Sequence, residues 1–417
     1  MSVLEQQPDR HDDVDSPYAW VRLALALVLG TVACVGTWSV VVVLPTIQVE
    51  FDTIRGGASL PYTCTMLGFA FGGVVMGRLA DRFTIVVPIL IGAALLAAGY
   101  VLAGLSTSLW QFALAQGLFI GSGAAAGFAP LISDLSHWFR KQRALAVAVA
   151  SSGSYLAGAV WPQLIEHFQT VYGWRATHIG IGLIVPFIMV PMAYLLRRRP
   201  AKGVINQAEA TTEAARVQLG LTPNVLQGLL VLAGFSCCMA MSMPQVHLVA
   251  YCGDLGYGAA AGTQILSLML GLGVVSRLAS GFVADRIGAG PMLILGSAMQ
   301  ASALLFYLFF NSLTSLWVIS GLFGLFQGGI VPMYAVIIRQ FLPPREAGTR
   351  IGLVLMATVL GMACGGLISG LIFDASGSYR LAFLHGFLWN CVNLALVCWL
   401  ILRPKLKGRT ARSALPA

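Results

Sequence analysis

Long apolar runs separated by short polar breaks occupy almost the whole chain. They fall at about 18–45, 60–80, 84–105, 109–136, 144–168 and 176–196, and resume at about 222–251, 258–284, 289–310, 314–339, 347–373 and 380–402. A helix of about 20 mostly apolar residues crosses the hydrocarbon core of a bilayer, so each run predicts one crossing. The fold class expected is an all-α membrane protein with twelve transmembrane helices. The polar, alanine-rich break at 197–221 opens with Arg197-Arg198-Arg199-Pro200 and divides the chain into six-helix bundles at 18–196 and 222–402. A short surface helix is expected within it, around 208–218. Residues 1–17, acidic at Asp9, Asp12, Asp13 and Asp15, read as a disordered tail, and 403–417 as a basic, disordered one.

The two halves repeat. Gly77-x-x-x-Asp81-Arg82 after the second run recurs as Gly281-x-x-x-Asp285-Arg286 after the eighth, an offset of 204 residues. Gly117-Leu118-Phe119 recurs as Gly321-Leu322-Phe323 at the same offset, and Tyr172-Gly173-Trp174-Arg175 is echoed by Gly377-Ser378-Tyr379-Arg380. Two parallel repeats imply a pseudo-twofold axis along the membrane normal, with a ligand site between the halves at mid-depth. Glycines spaced by four (Gly68/Gly72, Gly73/Gly77, Gly117/Gly121, Gly123/Gly127, Gly361/Gly365, Gly366/Gly370) predict close helix packing in the second, fourth and eleventh runs.

Composition agrees: 58% of residues are apolar, 10% are charged and the mean hydropathy is +0.82. The net charge of +9 raises nucleic acid as a partner, but its placement does not support one. Of 25 Lys and Arg, Arg55, Arg175 and Arg380 fall in one set of alternate loops and Arg277 within a run, leaving 21 for the other loops and the tails. That bias places both termini in the cytoplasm, and an inner bacterial membrane is the location expected. The eight cysteines show neither a metal spacing nor a disulfide framework. With no catalytic triad or phosphate loop, neither an enzyme nor a cofactor is expected.

Arg277 is the outlier. It lies about 12 Å inside the helix end marked by Asp285, where a cation costs a few kcal/mol. Snorkelling along its own stem is one account of it. Its counterpart at the 204 offset is Gly73, so the repeated scaffold does not itself require a cation there. A guanidinium can fork onto a carboxylate through two parallel hydrogen bonds, which points to an organic anion as substrate. No Asp or Glu lies near mid-membrane in any run, and His247 is the best remaining titratable group. Thr37, Ser39, Gln116, Tyr155, Gln327 and Tyr334 are further polar side chains placed to line a cavity.

On these residues the chain resembles the major facilitator superfamily over roughly 18–402. The Gly-x-x-x-Asp-Arg loop and its copy carry the likeness, with Phe83-Thr84-Ile85 in place of further basic residues in the first copy. Asp15-Ser16-Pro17-Tyr18-Ala19-Trp20 looks like the start of the first helix in monocarboxylate transporters. Trp138 through Ala146, running into Ala150-Ser151-Ser152-Gly153, is similar to that family's second signature. Pro244 to Tyr251 followed by Asp254-Leu255-Gly256 resembles the seventh helix of its bacterial members and of oxalate/formate-type antiporters.

The resemblance implies a secondary transporter of small organic anions, chiefly monocarboxylates of the 2-hydroxy or 2-oxo acid type, moved by proton symport or, alternatively, by anion exchange. It implies that Arg277 holds the substrate carboxylate; beside it His247, Tyr334, Gln327, Tyr155 and Thr37 are the substrate-binding residues expected, His247 is the proton-coupling candidate, and gating is expected at Gly77, Asp81, Arg82, Gly281, Asp285, Arg286 and Arg143. Animal members carry an aspartate one turn before the arginine, where this chain has Gly273. A drug/proton exporter would need a buried acid and an arginine where Ala113 stands. A membrane sensor would need an output domain for which the 25-residue linker leaves no room. The partners expected are a small carboxylate, protons and the lipid bilayer, with a monomer sufficient for function.

Overall fold

A computed structural model describes residues 15–139, 143–198, 221–342 and 347–413. Eleven helices among them are long and apolar enough to cross a membrane. One of these, Leu145–Leu195, is 51 residues long and as a single rod would span about 77 Å, over twice the ~30 Å hydrocarbon core. Gly173 breaks it at φ 80° and ψ 158°, a conformation that glycine adopts without a Cβ penalty. Its arms are therefore two crossings, and the total is twelve.

In order these are α1 (Pro17–Glu50), α2 (Arg55–Ala80), α3 (Val86–Gly104), α4 (Leu109–Ile132), α5 and α6 (the two arms of Leu145–Leu195), α7 (Pro223–Asp254), α8 (Ala259–Ala284), α9 (Ala289–Phe309), α10 (Leu313–Ile338), α11 (Arg350–Ser376) and α12 (Tyr379–Arg403). The C-terminal expectation needs correcting, because the last helix continues to Ser413 through residues read as a disordered tail. The expected linker helix at 208–218 and the acidic tail at 1–14 lie outside the described residues.

An even number of crossings puts both termini on one face. At the opposite face the halves are joined by charge. Arg55 Nη2 donates to both oxygens of Asp254 at 3.0 Å, from α2 to α7. The N-cap of α2 is Ile54, which has no side chain able to cap. Asp374 of α11 does that work from the other half: its oxygens accept from the N–H of Arg55 at 2.8 Å and of Gly56 at 2.6 Å. A carboxylate suits a helix N-terminus because it takes orphan donors and meets the positive end of the dipole. Gly366 and Gly370 bring α11 against α2 here, where an added Cβ would meet the Tyr62 ring at 3.1 Å or the Arg55 carbonyl at 3.1 Å.

The glycine expectation holds for that pair and for Gly361/Gly365 of α11 against α7, but not for Gly73/Gly77. A Cβ on Gly73, Gly77 or Gly281 would meet nothing within 4 Å. Among the described residues, these glycines of the repeated loop motif and the position before it therefore make no close helix contact.

The charge inventory needs one more correction. Arg22, grouped above with loops and tails, lies inside α1 and is fully buried. It forks onto Asp134, in the continuation of α4 as Ala129–Trp138, at 2.6 and 2.8 Å and donates to the Leu196 carbonyl at the end of α6 at 3.0 Å. It was misread because the apolar run begins only four residues earlier, so the cation looked like a flank.

Candidate functional site

Four helices are interrupted within their spans, α4 among them at Phe128, where φ is -127° and ψ is -86°. In α1 the break is at Cys34, between Pro17–Ala33 and Val35–Glu50. In α5 it is at Ser152, between Arg143–Ser151 and Gly153–Leu195. In α10 it is at Gly328 and Gly329, between Leu313–Gln327 and Ile330–Phe341. Interrupted helices expose carbonyls that need partners, and Arg277 supplies two. Its Nε donates to the Gly328 carbonyl at 3.0 Å and its Nη1 to the Ser151 carbonyl at 2.6 Å. Its guanidinium carbon lies 4.2 Å from the centre of the Tyr155 ring, a cation–π contact in a desolvated setting.

Arg277 is thus held rather than snorkelling. It reaches from α8 into the other half, since both Ser151 and Tyr155 belong to α5. Nη2 has no hydrogen-bond partner, and no carboxylate lies within 4.0 Å of the guanidinium, among the described residues.

The guanidinium forms part of the wall of a cavity of about 250 Å³ between the halves. Along α2 the cavity runs from Tyr62 to Gly73 and Val74, and along α11 from Met362 back to Gly352. It therefore extends from beneath the Arg55–Asp254 closure toward the face that carries the termini.

Of the six expected substrate-binding residues, Arg277, Tyr155 and Thr37 line this cavity. His247, Tyr334 and Gln327 do not. His247 is fully buried, with Nε2 2.7 Å from the Gly366 carbonyl of α11 and its ring 5.7 Å from Tyr379. Because a carbonyl only accepts, Nε2 carries the hydrogen, and Nδ1 has no partner. Tyr334 donates to Asn393 Oδ1 at 2.7 Å, behind the wall. Gln327 accepts from Gln245 Nε2 at 2.8 Å, and Gln245 is the one of the pair on the wall. Gln116 and Ser39 are also tied elsewhere, to Thr65 and Tyr100.

Sequence reasoning missed the role of Tyr155 at Gly273. A Cβ on Gly273 would run into the Tyr155 ring, so the ring fills the space where a carboxylate one turn before Arg277 would project. No sequence spacing signals that contact, which joins α5 to α8. Cys34, Cys238, Tyr62 and the methionines of the wall went unnoticed for the same reason: in an apolar run every face looks alike.

Among the expected gating residues, the Arg82 guanidinium lies 5.5 Å from the Phe83 ring and that of Arg286 lies 4.2 Å from Phe282. The side chains of Asp81, Asp285 and Arg143 lie outside the described residues. The two stretches that carried the monocarboxylate-transporter likeness meet in space. The Asp15 N–H donates to the Trp138 carbonyl at 3.0 Å, and the Tyr18/Trp138 and Trp20/Phe139 rings are edge-on at 5.3 and 5.2 Å.

The far-face closure yields a prediction. Asp374→Ala removes the cap that α2 receives from the other half, worth about 1–2 kcal/mol, or a shift of about 5–30-fold in the closed-to-open ratio. A membrane-impermeant thiol reagent added at that face is expected to label the wall cysteines Cys34 and Cys238 faster in this variant by a factor in that range. Unchanged labelling would show that the cap does not hold the closure.

Residues 26–323 and 275–415 match the family model described as Major Facilitator Superfamily. The chain is 26% identical over 407 residues to the MFS-type transporter opdF of Penicillium oxalicum, covering 94% of this chain and 90% of that one. It is 26% identical over 317 residues to monocarboxylate transporter 13 of Bos taurus, covering 75% and 73%. Among solved structures it is similar to a bacterial homologue of the human lysosomal transporter Spinster in an inward-facing, occupied conformation. The TM-score is 0.66 at 16% identity, over 95% of this chain and 97% of that one.

Proposed function

The chain belongs to the Major Facilitator Superfamily, and from that premise we propose that this integral membrane transporter carries small organic monoanions, with a carboxylate as the group recognised. The observation that carries the reading is Arg277: a buried guanidinium on the cavity wall, with no carboxylate partner and with Nη2 left for a ligand. A buried cation in a membrane protein needs an anion at some point in its cycle. A fork can pair Nη2 with Nη1, which carries two hydrogens and gives one of them to the Ser151 carbonyl. With the termini in the cytoplasm of a bacterial cell, the Arg55–Asp254 closure faces outward and the cavity opens inward.

Two coupling modes compete for this site. Proton symport through His247 would require that ring to sense the substrate from behind the wall. Exchange of one anion for another is favoured by Tyr155 occupying the place of the missing acid at Gly273, which leaves Arg277 a permanent cation. An empty carrier with a fixed buried charge returns less readily than one refilled by a second anion.

Reconstituted vesicles separate the two. Exchange predicts that labelled carboxylate enters vesicles preloaded with unlabelled carboxylate and not those given only an inward proton gradient. Symport predicts the reverse. A His247→Gln variant, whose amide can still reach the Gly366 carbonyl, is expected to keep full uptake under exchange and to lose gradient-driven accumulation under symport. Carboxylate flux in neither condition would sink the anion reading itself.

A further inference from the structure

We propose that Tyr62 is a second point of recognition, and that the cargo is a carboxylate whose far end offers it a neutral carbonyl or hydroxyl oxygen. This rests on the reading of Arg277 as an anion site and departs from the 2-hydroxy or 2-oxo acids expected from the sequence.

Several donors of the cavity wall are used by the protein itself. Thr37 Oγ1 donates to the Cys34 carbonyl at 2.8 Å, and Thr358 Oγ1 to the Leu355 carbonyl at 2.7 Å. Ser154 Oγ donates to the Ser151 carbonyl at 3.1 Å, and Trp38 Nε1 to the Ser154 carbonyl at 2.9 Å. Arg277 Nη2 is free for the carboxylate. The Tyr155 hydroxyl has Met241 Sδ at 4.0 Å, and its ring lies against the Arg277 guanidinium, so it serves the same end of the cargo. Gln245 gives one amide N–H to Gln327 and keeps the other. Tyr62 lines the same cavity, is buried, and its hydroxyl has no hydrogen-bond partner among the described residues. A buried hydroxyl left unpaired is costly, and an oxygen on the cargo removes that cost.

Tyr62 and Arg277 stand at different depths. Tyr62 lies seven residues into α2 from Arg55, and Arg277 eighteen residues into α8 from Ala259. Both helices start at the closed face, where Arg55 is paired with Asp254, five residues before Ala259. At about 1.5 Å per residue, the two Cα atoms differ in depth by roughly 16 Å. Helical side chains lean toward the N-terminus of their own helix, so both lean toward the closed face and keep that order. The second oxygen of a 2-oxo or 2-hydroxy acid is one carbon from the carboxylate and stays beside Arg277 and Tyr155. An oxygen several carbons away reaches Tyr62.

The far group is neutral because Arg277 is the one charged residue on the cavity wall, among the described residues. A second carboxylate would be buried there without a counter-charge. The Tyr62 ring is seated on Gly366 of α11, where an added Cβ would meet its Cδ1 and Cε1 at 3.1 Å. The Gly366 carbonyl is held by His247 Nε2 at 2.7 Å. Tyr62 belongs to the first half and Arg277 to the second, so a cargo held at both ends touches both bundles.

The test is competition in reconstituted vesicles, with labelled 6-oxoheptanoate as the probe, for wild type and Tyr62→Phe. The competitors are heptanoate, which lacks the second oxygen, and 2-oxoheptanoate, an isomer that carries it beside the carboxylate. In wild type, unlabelled 6-oxoheptanoate is expected to compete about 2- to 12-fold better than heptanoate, the net worth of one hydrogen bond. It is expected to beat 2-oxoheptanoate by at least that factor. In Tyr62→Phe the advantage over heptanoate is expected to vanish, whereas a merely structural hydroxyl would alter all three acids alike. The proposal is overturned if wild type does not take up the probe, if heptanoate or 2-oxoheptanoate matches 6-oxoheptanoate in wild type, or if the preference persists unchanged in Tyr62→Phe. Neutral 6-oxoheptanamide judges the anion site separately. If it competes as well as 6-oxoheptanoate, the anion reading fails and takes this proposal with it.

Discussion

Arg277→Ala is expected to lower carboxylate uptake by at least about 30-fold, with the protein still folded in detergent. Removing one partner of a buried, hydrogen-bonded charge pair costs about 2–5 kcal/mol, and here the other partner is the substrate. Arg277→Lys is expected to recover little. An ammonium keeps the charge but lacks the planar fork, and it cannot reach the Gly328 and Ser151 carbonyls while also stacking on Tyr155. The geometry that holds Arg277 needs three directions at once. Initial rates of labelled uptake, normalised to reconstituted protein, check this. Equal rates for wild type and Arg277→Ala would remove Arg277 from the site and leave it a structural tie between α8, α10 and α5. A lysine variant with near wild-type rates would show that charge alone suffices, and that the fork is not used.

The crossings, their number and the position of Arg277 were legible from the sequence because each depends on spacing within one segment. Length and apolarity define a span, and a lone cation in such a span is conspicuous. What the sequence does not reveal is which face of a helix meets which neighbour. His247, Tyr334 and Gln327 were polar residues on the right helices but turned away from the cavity, toward Gly366, Asn393 and Gln245. In a soluble helix the polar stripe marks the side facing water, whereas a helix that is apolar all round carries no such mark. Gly273 shows the same limit in sharper form. Its lack of an acid was plain, but that Tyr155 fills the space came only from the contact between α5 and α8.

Arg22 and Asp134 carry the second large expectation. Asp134→Ala is expected to destabilise the protein by about 3–5 kcal/mol, because it leaves a buried guanidinium without its counter-charge. Arg22 also donates to the Leu196 carbonyl and lies 4.6 Å from the centre of the Trp138 ring, so the loss would loosen α1, α4 and α6 together. Replacing both partners, Arg22→Met with Asp134→Leu, is expected to recover most of the loss, since an apolar pair of similar volume has no desolvation to overcome. Thermal unfolding of the single and double variants measures this, with a fall in Tm of several degrees for the single change. The pair joins helices of one half only, unlike Arg55–Asp254, which joins the two. It should therefore move as part of a rigid body and not open during transport. The double variant tests that distinction: uptake near the wild-type rate assigns the pair to the frame of the N-terminal half. A stable double variant that has lost transport would instead make the cluster of Arg22, Asp134 and Trp138 part of the gate.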